Sequence, residues 1–220
     1  MNLRNHNYRL TSAVLSISAG ILYSLWVFGY ALNRTAIDTL DVSALQSKGQ
    51  PYYRFFVVGD VITGVLVFLL VICLIKLFQR TKLHRKVSFW LCMAGLLTFG
   101  LMTGIACFLK SCDTNSSYCL QNLNEVFDSH NITGTIASLG QFMSLASGLT
   151  LIRKRISRSL YWGTWTLTVL WALSGLSFII TSTQSLSLSL LSQHVFLVLS
   201  SLCLVAITWV LARPKFQHSL

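Results

Sequence analysis

The sequence predicts an all-α fold: a polytopic membrane helix bundle of six transmembrane helices with both termini cytoplasmic. Three observations carry that reading. The 220 residues are 54% hydrophobic and only 10% charged, too little polar surface to coat a soluble globule of this size. Six apolar stretches approach or exceed the about 20 residues that cross the hydrocarbon of a bilayer. The charges between them segregate by sign. With Met1–Arg9 in the cytoplasm, all six carboxylates (Asp38, Asp41, Asp60, Asp113, Glu125 and Asp128) fall on the opposite side. Of the 17 Lys and Arg, all but Arg34, Lys48, Arg54 and Lys110 fall on the cytoplasmic side. Anionic lipid and the insertion machinery retain basic residues inside, so this asymmetry sets the orientation.

The elements follow in order. Helix one is expected over 10–32, behind a polar, basic start. Its apolar run is too long for a signal-peptide core and meets no small-x-small cleavage site, so it reads as a retained anchor. An outer loop leads to helix two, 53–78, and then to the basic inner loop 79–86. Helix three covers 87–109, and a long outer loop reaches helix four, 132–152. The second basic inner loop precedes helix five, 160–180. A Ser/Thr-rich outer connection ends at helix six, 195–212. Together the six helices make one integral membrane domain over 1–220, with no room for a separate soluble catalytic domain.

Aromatic residues support these depths independently of charge. Trp90, Tyr161, Trp162, Trp165 and Trp209 fall near the inner boundary, and Tyr30, Tyr52 and Tyr53 near the outer one. Such amphipathic rings prefer the headgroup level. Small residues at four-residue spacing (Ser16/Gly20/Ser24, Gly100/Gly104 and Gly140/Ser144/Gly148) mark expected helix contacts, where backbones approach without a hydrophobic force to draw them together. No internal repeat of the inverted kind typical of many carriers is visible. The segment 185–192 alternates Ser and Leu with the period of a strand. An open strand edge has no hydrogen-bond partners in lipid, so it is expected at the interface or as the frayed top of a helix.

The formal charge of +11 is not a nucleic-acid footprint. The basic runs 80–86 and 153–158 lie against hydrocarbon, where anionic lipid headgroups attract each basic residue by about 1 kcal/mol. The expected partners are therefore the bilayer and its anionic lipids.

Asp60 is the first candidate for chemistry. It lies two turns into helix two, and an ionisable group inside a span costs several kcal/mol unless it faces the bundle interior or water. One reading is a structural carboxylate neutralised by Arg34, Arg54 or Lys110; the other is a working site. His130 and His194 precede helices four and six at comparable depth. With Asp60 they form the candidate catalytic and metal set: a His/His/carboxylate zinc site with an open position for water, or a proton relay. Asp41 or Asp113 is then expected near the mouth. Ser138 and Gln141 continue a polar line below His130.

Cys112 and Cys119 share the long outer loop. A disulfide closing a small loop is the simplest outcome on an oxidising face. Metal binding with Asp113 and His130, or two free thiols, are the alternatives, although the spacing is not that of a zinc ribbon. Cys73, Cys92, Cys107 and Cys203 fall within apolar helices and read as packing residues. Asn33, Asn115 and Asn131 head glycosylation acceptor triplets on the outer side. The chain contains no Gly-x-Ser-x-Gly, His-Glu-x-x-His or P-loop pattern.

A family resemblance rests on Leu22-Tyr-Ser-Leu-Trp-Val-Phe-Gly-Tyr-Ala-Leu-Asn33, Leu40-Asp-Val-Ser-Ala-Leu45, Gln50-Pro-Tyr-Tyr-Arg-Phe-Phe56, Gly59-Asp-Val-Ile-Thr-Gly64 and Ser111-Cys-Asp113. In this succession the chain resembles the bacterial multi-pass membrane proteins known as domain of unknown function 998. The resemblance implies a six-helix bacterial membrane protein with Asp41, Asp60, Cys112, Asp113, Cys119 and His130 as family-like positions, and it implies no activity. The alkaline-ceramidase type of seven-helix hydrolase is a poorer match. It holds zinc partly through a His-x-x-x-His pair that this chain lacks.

Three functional classes remain. The first is a non-catalytic accessory, sensor or assembly component with outward-facing acidic loops. The second is an outward-facing, metal-assisted lipid hydrolase using Asp60, His130 and His194. The third is a small proton-coupled transporter.

Overall fold

The computed structural model describes residues 3–28, 52–79, 81–109, 129–181 and 186–213. Six long helices account for nearly all of them: α1 (Leu3–Tyr23), α2 (Tyr53–Phe78), α3 (Val87–Ala106), α4 (Ser129–Ile152), α5 (Arg158–Thr181) and α6 (Leu186–Ala212). All six contain stretches long and apolar enough to cross a membrane. A single 3₁₀ turn, Lys82–Arg85, joins α2 to α3. The architecture is therefore the predicted all-α membrane bundle.

Boundaries moved at the ends of the helices, for local reasons. α1 begins within the polar start, and beyond Tyr23 it loosens into 3₁₀-type bonds, Ser24 N–H to Ile21 O and Leu25 N–H to Leu22 O, both 3.1 Å. α3 stops at Ala106, three residues short of expectation. The Ser/Leu alternation is absorbed into α6 from Leu186, because in lipid a helix satisfies its own backbone and a lone strand does not.

Helices α1, α2, α3 and α4 pack each against the next, and α6 closes the arrangement by meeting α1, α4 and α5. α5 is the least enclosed helix; it leans chiefly on α6. Two seams set the spacing. A Cβ on Gly95 would stand 2.5 Å from both Gly140 O and Ser144 N, so α3 and α4 touch backbone to backbone. A Cβ on Gly64 would stand 2.6 Å from Gly100 O, which brings α2 equally close to α3. Gly140 and Gly100 thus serve as expected, whereas a Cβ on Gly104 would meet nothing within 4 Å. Between α1 and α6, Gly20 faces Val205, and the Ser24 and Ser201 hydroxyls share a 2.9 Å hydrogen bond.

Polar side chains reinforce these seams inside the bundle. Gln141, 3% exposed, donates from Nε2 to Ser200 O at 2.8 Å, tying α4 to α6. Trp171 donates from Nε1 to Ser200 Oγ at 2.7 Å, tying α5 to the same turn. The Trp171 ring stacks with Phe142 and with Phe196. Gln141 is thus part of a buried interhelical clasp between α4 and α6.

The end where α2 meets α3 through the short loop carries the basic residues. Leu83 is fully buried and anchors that loop, leaving Lys82, Arg85 and Lys86 exposed. Trp90 donates to His84 O at 2.9 Å, and Trp90, Trp162, Trp165 and Trp209 are exposed along the same end. In the second basic loop, burial lowers the Arg155 guanidinium value from its ordinary range.

Candidate functional site

Asp60 sits in the second turn of α2, at the end of the bundle opposite those basic loops. Glycines on α2 and α3 determine what it meets, Gly64 against Gly100 and Gly59 against Leu22 and Leu25. The Gly64–Gly100 contact holds α2 and α3 in an antiparallel register that brings Asp60 opposite Cys107, the residue capping α3. The Cys107 thiol donates toward Asp60 Oδ2 at 3.8 Å and toward Thr103 O at 3.4 Å. Cys107 lies just beyond the span Val87–Ala106, and burial, then the Asp60 charge, pushes its thiol above the ordinary range. From α1, Tyr23 lies within electrostatic range of both Asp60 and Cys107, its ring packed edge-on against Phe99 at 5.3 Å.

Thr103 completes the junction. It lies one turn before Cys107 on the same face of α3 and is 5% exposed. Its hydroxyl Oγ1 is buried without a hydrogen-bond partner. By contrast the Thr63 hydroxyl, on α2, is committed to Gly59 O at 2.9 Å. Thr63, Thr103 and Thr133 are all buried and each precedes a glycine: Ile62-Thr63-Gly64, Met102-Thr103-Gly104 and Ile132-Thr133-Gly134.

His194 meets the same end of α1 from α6. It stacks on Trp26 between α1 and α6, with ring centroids 4.8 Å apart and planes 20° from parallel. Both candidates therefore lean on the end of α1, Asp60 near Tyr23 and His194 against Trp26. His130 falls in the first turn of α4, and its side chain lies outside the described residues, as do Asp41, Asp113, Cys112 and Cys119. Among the described residues no three His, Cys, Asp or Glu side chains come together as metal ligands. Arg54, one of the suggested counter-charges for Asp60, donates to the Tyr53 hydroxyl at 3.2 Å and covers that ring. Among the described residues the cysteines Cys73, Cys92, Cys107 and Cys203 are free thiols.

Sequence reasoning missed Cys107, Thr103 and Tyr23. Cys107 reads as one more apolar packing residue until the end of α3 is placed against the start of α2. The available signal was depth: Asp60 near the beginning of one helix and Thr103/Cys107 near the end of its antiparallel neighbour.

Two grooves of about 420 Å³ each open sideways on the outer surface of α6. One lies toward α5, between Leu160, Thr164 and Trp209; the other lies toward α1, beside Gly20, Ile21 and Val198. Leu202 and Val205 form the ridge between them. Both are apolar and face the surroundings of the bundle.

The fold and these surfaces define a multi-pass membrane protein of the six-helix class. No protein-family model, no curated protein and no solved structure matches the chain. The resemblance to the domain-of-unknown-function-998 proteins therefore gains no support from these comparisons.

Proposed function

We propose that the protein is a non-catalytic accessory, sensor or assembly component of a membrane, whose outward-facing acidic loops meet a partner protein or lipid. One observation carries this reading: described polar side chains inside the bundle engage other helices. Asp60 meets the Cys107 thiol between α2 and α3, and His194 stacks on Trp26 between α1 and α6. The interior polar groups support it by binding helix to helix, as Gln141 and Trp171 do at Ser200.

The test is photo-crosslinking of the full chain in its membrane, from probes at Ser47 and Asn122. A discrete protein or lipid adduct, lost when Asp41 and Asp113 are changed to Asn, supports the reading. Metal-dependent lipid turnover by the purified protein, or pH-driven solute flux in vesicles, overturns it.

A further inference from the structure

Among the described residues the only carboxylate is Asp60, at the end of the bundle opposite the basic loops. After Asp128 the sequence holds no further Asp or Glu. Arg158, which opens α5, and Arg213, which follows α6, are both exposed at the basic end. The apolar groove between α5 and α6 reaches that same end. Leu160 in its wall lies two residues after Arg158, and Trp209 lies four residues before Arg213. The Arg213 guanidinium stands 5.8 Å from the centroid of the Trp209 ring, so a permanent positive charge rests on the groove wall. Guanidinium presents its N–H donors in a planar fork that matches a phosphate bidentately.

The dimensions of the groove select its occupant. Along α6 its lining runs from Leu202 to Val210, about 12 Å at about 1.5 Å per residue. One leaflet occupies half of the hydrocarbon core of about 30 Å, so the groove spans most of a single leaflet. A partner's transmembrane helix needs the full thickness, whereas a lipid acyl chain needs only this half. The walls suit such a chain: they are apolar, and the Thr164 hydroxyl among them is committed to Leu160 O at 2.9 Å. The other groove, toward α1, has no Lys or Arg among its lining residues.

We propose that the groove between α5 and α6 is a binding site for one anionic glycerophospholipid. An acyl chain lies along Leu202, Ala206 and Trp209, and the negatively charged headgroup meets Arg158 and Arg213 where the groove reaches the basic end. The headgroup supplies the anion for which the described chain has no carboxylate at that end. Basic loops attract anionic lipid along the whole surface. The site goes further, because cation and apolar groove coincide and hold both parts of one molecule. It lies away from the acidic outer loops, so it stands or falls independently of the proposed function.

The experiment uses the full chain in detergent micelles, supplied with phosphatidylglycerol or phosphatidylcholine of identical acyl chains. Native mass spectrometry counts the lipid retained per chain. One phosphatidylglycerol is expected to stay bound, favoured over phosphatidylcholine by about fivefold or more. R158Q and R213Q are each expected to cut that preference by about fivefold. A206W, which fills the groove, is expected to abolish retention. A photoactivatable phosphatidylglycerol, with its reactive group in the acyl chain, is expected to label peptides 160–167 and 202–210. Where A206W fails to fold, the two arginine variants and the labelled peptides still decide. Equal retention of the two lipids, a preference unchanged in both arginine variants, or retention unchanged in a folded A206W overturns the proposal. So does labelling of the α1 groove alone, or crosslinking of this groove to a second chain in place of lipid.

Discussion

Gly95 and Gly104 lie on the same helix and differ in everything that matters for substitution. A Cβ at Gly95 meets Gly140 O and Ser144 N at 2.5 Å, both backbone atoms with no rotamer to escape into. At Gly104 the same Cβ meets nothing within 4 Å. Gly95→Ala is therefore expected to destabilise the bundle by about 1–3 kcal/mol, the usual cost of overpacking, while Gly104→Ala leaves stability near the wild type. Thermal unfolding of the two variants in the same detergent checks this, and equal losses would show that the α3–α4 seam is not the tight contact described. Residues of identical type and similar sequence context are separated here only by what stands across the helix interface.

At the scale of elements, α5 is held differently from the rest. It exposes Leu170, Leu173, Leu176, Ile179 and Ile180, and its deepest attachment is Trp171, bonded to Ser200 and stacked with Phe142 and with Phe196. Interhelical hydrogen bonds in membrane proteins average about 0.6 kcal/mol and reach about 1.7 kcal/mol. Ser200→Ala is expected to cost within that range and to increase proteolysis or hydrogen exchange in α5 ahead of the other helices. Uniform loosening of all six helices would instead mean that Ser200 acts through α4 and α6, where Gln141 binds its carbonyl. The lengthened start of α6 belongs to this scale too: the Ser/Leu alternation carries a strand period, yet backbone satisfaction in lipid outweighs side-chain pattern.

For the whole molecule, charge asymmetry predicts both termini and both basic loops on the cytoplasmic side. Single cysteines introduced at Ser47, Lys82, Asn122, Ser157 and Ser219, in a chain cleared of its own thiols, are expected to divide accordingly under an impermeant reagent. Positions 47 and 122 should label from outside, and positions 82, 157 and 219 only after permeabilisation. Labelling of position 82 from outside, or protection of position 122, would reverse the orientation.

Length and apolar content determined by themselves that six helices form and roughly where each runs. Each span must satisfy its own backbone and cover a fixed hydrocarbon thickness, and both are local properties of the chain. The small residues announced close approaches in the same local way, although only the structure separated Gly100 and Gly140, which sit in seams, from Gly104, which does not. Asp60 was legible as unusual because a carboxylate in an apolar run is costly wherever it points. Its partners were not legible. Cys107 and Tyr23 come from other helices, and His194 meets Trp26, because helix rotation and register depend on interhelical packing spread over three or four neighbours at once. A single helix can encode which residues it contains, but the face it turns toward another helix is decided jointly, and only the tertiary structure resolves that choice.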